Sequence, residues 1–393
     1  MRDPEGMTPR ERIKGVIRFK KVDVNPWYES FPIDTMLRWL SEGLPILDVA
    51  KIEWKFRPAR NFLNWPDFSG FDLYSYFGVS NLRGLIVPVD GGPIPRFKQR
   101  KIGETERYQE YIMESGAIAR KIKSAYSGYS MPQFAEFPVK DTKTWEQYKM
   151  RLNPEDPRRY LIDWEKEPYL KLFEDFQGGS TMLYLTGFYG FGAELMGIPN
   201  FNLAFYRDPE LIHAMASFWE YFNIERTRDA VETLKDKIDI VFWWEDLASK
   251  HGPNISPKLY REFLLPHYKR VIQFLNKNNI TQVMMDSDGN LHPLLELIIE
   301  AGITGLWPLE VNSDMDLRAV RQKCGNRLFL AGNIDKRKVA QGGEAMRKEV
   351  DTKLTVMRET GGYIPGLDHV VPLDVSFDRF VEYANYIRKQ LTL

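Results

Sequence analysis

From residue 155 onward, short apolar runs alternate with longer amphipathic segments, and this alternation limits the possible folds more than any other feature of the chain. The apolar runs have the length and composition of β-strands and lie at residues 182–186, 238–243, 281–285, 305–307, 328–331 and 362–364. The segments between them are long enough for helices and lie at residues 209–234, 257–277, 291–301, 317–324 and 343–359. Strands that alternate with helices predict a parallel sheet covered by helices.

The N-terminal segment predicts a helix, a strand and a second helix. Residues 8–19 have Thr8 in the N-cap position, followed by a proline and then a glutamate, which is the usual start of a helix. A first strand is predicted at residues 23–27 and a helix at residues 34–41, which a glycine and a proline terminate.

Residues 50–140 are less regular, and we interpret them as a β-hairpin excursion that includes one barrel strand, near residues 83–89. With the strand at 23–27, the count of strands then reaches eight. We therefore predict a (β/α)8 TIM barrel with an elaborated N-terminal hairpin region, in a single domain of 393 residues. Residues 1–150 form its N-terminal part and residues 151–393 its regular βα units. A doubly wound sheet is disfavoured because no Gly-x-Gly-x-x-Gly opens the first unit.

The composition excludes several classes of partner. Lys plus Arg equals Asp plus Glu at 54 each, so the net charge predicts neither nucleic acid nor an anionic membrane as a partner. The single cysteine, Cys324, excludes internal disulfides and Cys-based zinc clusters, and fits a reducing compartment. We see no signal peptide and no apolar run of ~20 residues, and expect a soluble, cytoplasmic protein. The many aromatic residues favour a large core and an aromatic-lined pocket for a flat or hydrophobic ligand.

Two acidic segments directly follow predicted strands, where α/β enzymes build their sites. Asp286 and Asp288 follow the strand at 281–285, and the pair Asp368-His369 follows the strand at 362–364. The spacing of the first two carboxylates allows them to share a divalent cation or a proton; the alternative is a helix N-cap and a turn residue. The imidazole predicts a general acid–base group or a metal ligand; the alternative is a structural histidine.

Further candidates occupy other strand ends. Glu245 and Asp246 follow tryptophans, and a carboxylate beside an indole favours a raised pKa and a general-acid role; packing and helix capping are the alternative. The remaining pocket candidates, for which turns and caps are the alternative, are Trp27, Glu29, Asp90, Gly187, Trp244, Glu310, Asn333, Asp335 and Asp368.

Three motifs carry a resemblance to a known family. They are GFYGFG at residues 187–192, ISPKLYREFLLPHYKR at 255–270 and GNID at 332–335. The chain resembles the uroporphyrinogen decarboxylase superfamily, which also contains corrinoid-dependent methyltransferases. The resemblance implies a barrel enzyme, a homodimer and an active-site role for His369, which matches the histidine of the family's LGHG turn.

The chain departs from both branches of that superfamily. Tetrapyrrole decarboxylases carry an arginine-rich segment after the first strand, where this chain has Trp27-Tyr28-Glu29-Ser30, so an octa-acid substrate would leave carboxylates unpaired. The methyltransferases bind zinc through one histidine and two cysteines at positions that match Asp286, Asp288 and His369. Two carboxylates and an imidazole suit a harder ion than zinc, or no ion.

The resemblance implies three functions. The first is a corrinoid-linked methyltransferase of one-carbon metabolism, in which Asp286, Asp288 and His369 hold a divalent metal or activate the methyl acceptor, and Glu245 or Asp246 handles a proton. A separate partner protein would supply the corrinoid. The second is a decarboxylase of a tetrapyrrole or smaller carboxylated substrate. The third is a non-catalytic corrinoid or tetrapyrrole carrier.

Overall fold

The computed structural model describes residues 6–45, 52–53, 67–68, 73–123, 132–160 and 167–392. Its central element is a parallel sheet of seven strands. In chain order they are β1 (Asn81–Ile86), β2 (Gly179–Thr186), β3 (Ile240–Trp244), β4 (Val283–Asp286), β5 (Gly305–Trp307), β6 (Phe329–Ile334) and β7 (Tyr363–Leu367). Each strand pairs with the next one along the chain, so the sheet curls in one direction, as in TIM-barrel-like folds. All six strands predicted in the second half are confirmed.

Helices connect the strands and cover the outer face of the sheet. The α-helices are Pro9–Val16, Ile33–Ser41, Leu73–Phe77, Thr142–Lys149, Glu167–Asp175, Phe188–Met196, Ile198–Arg207, Pro209–Leu234, Pro257–Leu259, Leu265–Lys277, Leu295–Ala301, Leu317–Cys324, Lys336–Gln341, Gly343–Thr360 and Phe377–Leu391. Short 3₁₀ turns lie at Pro157–Arg159, Lys235–Lys237, Val311–Ser313 and Gly325–Arg327. None of the described helices is long and apolar enough to cross a membrane.

The predicted helix at residues 257–277 contains one wide turn. Residues Tyr260–Leu264 form a π-helical turn between two α-helical segments. Pro266 lacks the backbone N–H that would continue the regular α-helical hydrogen bonds to the preceding turn, and a widened turn accommodates this. The predicted helix at 291–301 begins only at Leu295.

The predicted first strand at residues 23–27 is not a strand in the structure. Instead, its last residue, Trp27, and the residue after it, Tyr28, form hydrogen bonds at the two edges of the sheet. The Tyr28 N–H donates to the Pro365 carbonyl of β7 (2.9 Å), and the Ser80 N–H, next to β1, donates to the Trp27 carbonyl (2.8 Å). A Cβ at Gly366 would overlap the Tyr28 carbonyl, so this close approach requires a glycine.

A second, antiparallel sheet lies between β1 and β2 in sequence. Its four strands are Arg100–Glu104, Tyr108–Ile112, Ile118–Ile122 and Gln133–Glu136, each paired with its neighbour in the chain. Two short strand pairs, Ile52–Glu53 with Asp67–Phe68 and Ala248–Ser249 with Gly252–Pro253, complete the described strands.

The core has two parts, one on each face of the curled sheet. The larger part lies between the sheet and the helices. The smaller part lies inside the curl, where Met182, Phe242, Met284 and Trp307 pack together with Ile13 of the N-terminal helix. This helix therefore packs against the inner core. Its predicted N-cap is confirmed: Thr8 accepts from the Glu11 N–H while the Glu11 carboxylate accepts from the Thr8 N–H.

Candidate active site

The carboxyl ends of the central strands lie in register. Asp286 at the end of β4 is paired with Trp244 of β3 on one side and Trp307 of β5 on the other. Just beyond these ends, the imidazole Nε2 of His369 lies 3.4 Å from the Asp288 carboxylate. Asp286 in turn interacts with both, so the structure brings together Asp286, Asp288 and His369, which come from two separate strand ends. They lie at the mouth of the curled sheet.

An arginine that sequence reasoning missed lies beneath them. Arg83 of β1 points into the curl, where its guanidinium carbon lies 3.9 Å from the ring centre of Phe242 and 4.8 Å from that of Trp307. Its Nη2 lies 3.5 Å from a carboxylate oxygen of Asp286. The available signal was an arginine within an otherwise apolar run. Alternation could not assign its direction, because the pairing of β1 with β2 shifts register between Asn81 and Leu85.

The acids at the mouth differ in protonation. Burial raises the pKa of Asp286 to about 8, although the charge of Arg83 opposes this shift. In most molecules this carboxyl group is therefore neutral at pH 7. Burial, with the charges of Asp288 and Glu310, raises the pKa of Asp246 to about 6. Burial lowers the pKa of His369, but the hydrogen bond and charge of Asp288 outweigh it, and the pKa is raised. A neutral acid therefore stands beside a stabilised imidazolium.

Glu194 is a second residue that sequence reasoning missed. It lies on helix Phe188–Met196, which follows the glycine-rich turn. Burial raises the pKa of Glu194 well above its usual range, and the charge of Asp246 adds to this effect. The signal in the sequence was a lone acidic residue in a helix that is otherwise apolar.

Of the two residues predicted to handle a proton, Glu245 or Asp246, Glu245 is buried against a helix, whereas Asp246 lies near Asp286 and Asp288. The Glu245 carboxylate accepts hydrogen bonds from the Gly190 N–H (2.6 Å) and the Tyr189 N–H (3.4 Å), and from the Tyr268 hydroxyl. It thus caps the N-terminus of helix Phe188–Met196. Gly187 serves the same junction, because a Cβ there would overlap the Glu245 carboxylate. Trp244 is half-buried and packs against the inner core.

Three further candidates form hydrogen bonds within the protein, and these bonds stabilise the segments around the mouth. The Trp27 indole donates to the Gly78 carbonyl (2.7 Å). The buried Glu29 accepts from the Tyr383 hydroxyl (2.7 Å) and from the backbone N–H of Leu367. Asp368 accepts from the backbone N–H groups of Val311 (3.1 Å) and Lys336 (3.2 Å). These contacts fix the segment that carries His369.

Glu29 supplies a test of this structural role. Burial raises the pKa of Glu29 to about 8, against the hydrogen bonds from Tyr383 and Leu367. The folded state then binds a proton that the unfolded chain releases near pH 4.5, so this residue stabilises the fold less as pH rises toward 8. Glu29→Gln is expected to match the wild type at pH 5 and to exceed it at pH 9, by on the order of 3 kcal/mol.

Urea unfolding of both proteins at the two pH values measures this difference. Glu155→Gln, at an exposed position, is the matched control and is expected to show no such pH dependence. A Glu29→Gln protein that is equally destabilised at both pH values would show that the carboxyl is not protonated in the fold.

The remaining candidates hold turns and helix starts. Asp90 accepts from the Gly92 N–H and pairs with Arg96. Asp335 caps helix Lys336–Gln341. The fully buried Asn333 bonds to four groups, namely the Leu317 N–H, the Lys353 ammonium and the carbonyls of Leu309 and Met315.

Glu310 positions the loop of Asp288. Its carboxylate accepts from the Gly289 N–H (3.1 Å) and the Ser313 hydroxyl (3.0 Å). Gly289 itself adopts φ +84° and leaves no room for a Cβ next to the Ala248 carbonyl. The acid therefore acts through the loop rather than on a ligand directly.

The predicted metal ligands do not fit a divalent ion as they are arranged. Asp286 faces the guanidinium of Arg83, which provides the positive charge that a metal ion would otherwise provide. Asp288 forms an ion pair with His369. Within the described ranges, no group of three or more His, Cys, Asp or Glu side chains could hold a metal ion. The arrangement provides a permanent organic cation beside an acid–base pair.

Comparisons with known proteins support the same fold and family. A uroporphyrinogen decarboxylase from Pseudomonas entomophila is 26% identical over 145 residues, which cover 35% of this chain and 39% of that protein. One from Legionella pneumophila is 28% identical over 172 residues, 43% and 46% of the two chains. The chain thus matches less than half the length of these relatives.

A solved structure extends the likeness of fold to the whole chain. A methyltransferase from Methanosarcina mazei superposes with a TM-score of 0.59 at 13% identity, over 98% of this chain and 100% of that one. The family model for uroporphyrinogen decarboxylase (URO-D) matches residues 190–390, which include β3 to β7 and all three side chains at the mouth. This chain belongs to the uroporphyrinogen decarboxylase (URO-D) family.

Proposed function

We propose that this protein is a corrinoid-linked methyltransferase of one-carbon metabolism, which works with a corrinoid held by a separate protein. The observation that carries the proposal is the His369–Asp288 pair beside the neutral Asp286 at the mouth of the curled sheet. A site of this kind can protonate an atom from which a methyl group departs. The whole-chain likeness in fold to a methyltransferase supports it.

The residues of this chain manage the proton in the proposed reaction. The corrinoid, when bound, supplies the centre that accepts the methyl group. The bond between methyl and substrate heteroatom breaks, and its electron pair stays on the heteroatom. His369 donates its proton to that atom, and Asp288 stabilises the imidazolium before transfer. The neutral Asp286 lies close enough to interact with both members of this pair, and Asp246 lies close enough to interact with Asp286.

We infer that the curled sheet closes as an eight-stranded barrel. Residues 27–30 would provide the eighth position, which their hydrogen bonds to Pro365 and Ser80 support. Such closure gives the mouth a complete rim and makes the whole chain a single barrel domain. The homodimer expected from the family stays a prediction, which sedimentation equilibrium tests.

A decarboxylase is the second candidate, and the neutral Asp286 together with His369, whose pKa is raised, favours it. Loss of carbon dioxide leaves a carbanion that needs a proton, and Asp286 and His369 can both supply one without a metal. The substrate would be a tetrapyrrole or a smaller carboxylated molecule.

The test incubates the purified protein with a reduced corrinoid protein and candidate methyl donors, and records the visible spectrum of the corrinoid. Methyl transfer is expected to convert the spectrum to the methylated form, at a rate that added Zn²⁺ or Mg²⁺ does not change. Release of carbon dioxide with an unchanged spectrum moves the assignment to the decarboxylase. Corrinoid binding with neither change identifies a carrier. A rate that depends on added zinc contradicts the metal-free site.

A further inference from the structure

We propose that Arg83 anchors a planar carboxylate group of the substrate inside the curled sheet. The side chain of Arg83 is only 9% exposed, and its Nε is buried without a hydrogen-bond partner among the described residues. Its distance of 3.5 Å to Asp286 exceeds the 2.7–2.9 Å typical of a charge-assisted hydrogen bond. A buried guanidinium with unused donors is costly unless an acceptor occupies the adjoining space.

Other buried arginines of this chain show what a structural role looks like. Arg10 bonds to the Asp239 carboxylate and to three backbone carbonyls within 3.1 Å or less. Arg159 donates to four backbone carbonyls. Arg83 has no comparable set among the described residues. This chain therefore satisfies Arg10 and Arg159, whereas the described contacts of Arg83 are two aromatic rings and the long approach to Asp286.

The surroundings of Arg83 favour a flat ligand. Phe242 and Trp307 lie against its guanidinium, and Tyr184 stacks on Phe242 with ring centres 5.8 Å apart. The His369 ring also stacks on Trp307, at 6.2 Å. A ligand held by Arg83 thus lies along the aromatic wall that leads to the acid–base pair. The planar fork of arginine matches the two oxygens of a carboxylate.

The charges at the mouth favour a monoanion over a phosphate. Among the described residues, Arg83 is the guanidinium that lies against this aromatic wall, while Asp246 and Asp288 lie near each other toward the opening. A phosphate would bring up to two negative charges toward these acids, whereas a carboxylate is balanced by Arg83 alone. The substrate class is therefore a flat monocarboxylate whose reacting group lies toward His369. This last placement rests on the proposed function, but binding at Arg83 does not.

The test measures binding of sodium benzoate to the full-length protein by isothermal titration calorimetry, without corrinoid. Benzamide, a neutral isostere, and phenyl phosphate are the comparison ligands. Benzoate is expected to bind, and benzamide to bind far more weakly. Arg83→Met is expected to lose roughly 100-fold in benzoate affinity, because a buried charge pair loses one partner, and Arg83→Lys to lose less.

Two controls separate binding from stability. Arg158→Met removes an arginine that is 62% exposed and paired with Asp156, and is expected to leave benzoate affinity unchanged. Arg83→Met is expected to keep or raise the melting temperature of the free protein, whereas loss of a structural arginine lowers it. Arg83→Lys provides the binding test should the methionine variant not fold.

Four results would overturn the proposal: no binding of benzoate, equal binding of benzamide, tighter binding of phenyl phosphate, or wild-type affinity in Arg83→Met. If benzoate binds through Arg83 but no methyl transfer occurs in the corrinoid assay, the proposed function is wrong and the carboxylate site at Arg83 is still supported. If methyl transfer occurs but benzoate binding does not depend on Arg83, the proposed function is supported and the carboxylate site is wrong.

Discussion

Replacement of Arg10 with alanine is expected to lower the free energy of unfolding by about 3–5 kcal/mol. The Arg10 guanidinium is buried, with its Nε 2.7 Å from the Asp239 carboxylate and its other nitrogens bonded to the carbonyls of Phe173 (2.8 Å) and Lys237 (2.9 Å). Its removal leaves Asp239, only 2% exposed, with Lys14 at 3.0 Å as its remaining charged partner in the described part of the chain. A buried carboxylate that loses its main counter-charge is strongly destabilising.

Urea unfolding, followed by tryptophan fluorescence, measures this loss as a lower midpoint at constant slope. Arg12→Ala is the matched control on the same helix, because Arg12 pairs with Asp23 at 2.7 Å on the surface. Such an exposed pair contributes less than about 1 kcal/mol. Equal losses in the two variants would show that the Arg10 pair is not buried from solvent.

This prediction also concerns the site. The N-terminal helix that carries Arg10 packs Ile13 and Val16 into the inner core with Met284, Phe242 and Trp307. The rings of Phe242 and Trp307 also contact the guanidinium of Arg83. Weaker anchoring of the helix is therefore expected to loosen the wall on which the proposed ligand lies, in addition to the fold.

Sequence alone could predict the elements governed by local rules. The capping box at Thr8 follows from two residues three positions apart, and the structure has it. The meeting of Asp286, Asp288 and His369 follows from geometry, since the carboxyl ends of parallel strands lie at one edge of the sheet. No side-chain contact had to be known for either prediction.

Sequence could not predict which strand-end side chains face the cavity. Glu245 follows its strand, but its carboxylate turns to the N-terminus of helix Phe188–Met196, where it accepts from the N–H of Gly190, 55 positions earlier in the chain. Asn333 has φ +70° and bonds to groups on other segments. The direction of such a side chain depends on the first dihedral angles of the loop and on distant donors. Arg83 was missed because a register shift in β1 defeats alternation.

Replacement of His369 with asparagine is expected to lower kcat about 10²–10⁴-fold, the usual contribution of a general acid, with little change in KM. Asparagine keeps the size and a donor but cannot transfer a proton. Stopped-flow recording of the corrinoid spectrum measures the rate. His213→Asn is the control, because His213 lies on helix Pro209–Leu234 and stacks on Phe263, 4.4 Å between ring centres, and is expected to leave kcat unchanged.

The pH profile distinguishes proton transfer from mere positioning. His369 donates only when protonated, so kcat/KM falls as pH rises through its pKa in the folded protein. Burial lowers that pKa, but the hydrogen bond and charge of Asp288 outweigh burial and raise it. Asp288→Asn removes this charge and is expected to move the alkaline limb of the profile to lower pH. Because the two residues act as a pair, the double variant is expected to lose little more than His369→Asn alone. An alkaline limb that stays in place in Asp288→Asn, with losses that simply add, would mean that the pair does not share the proton.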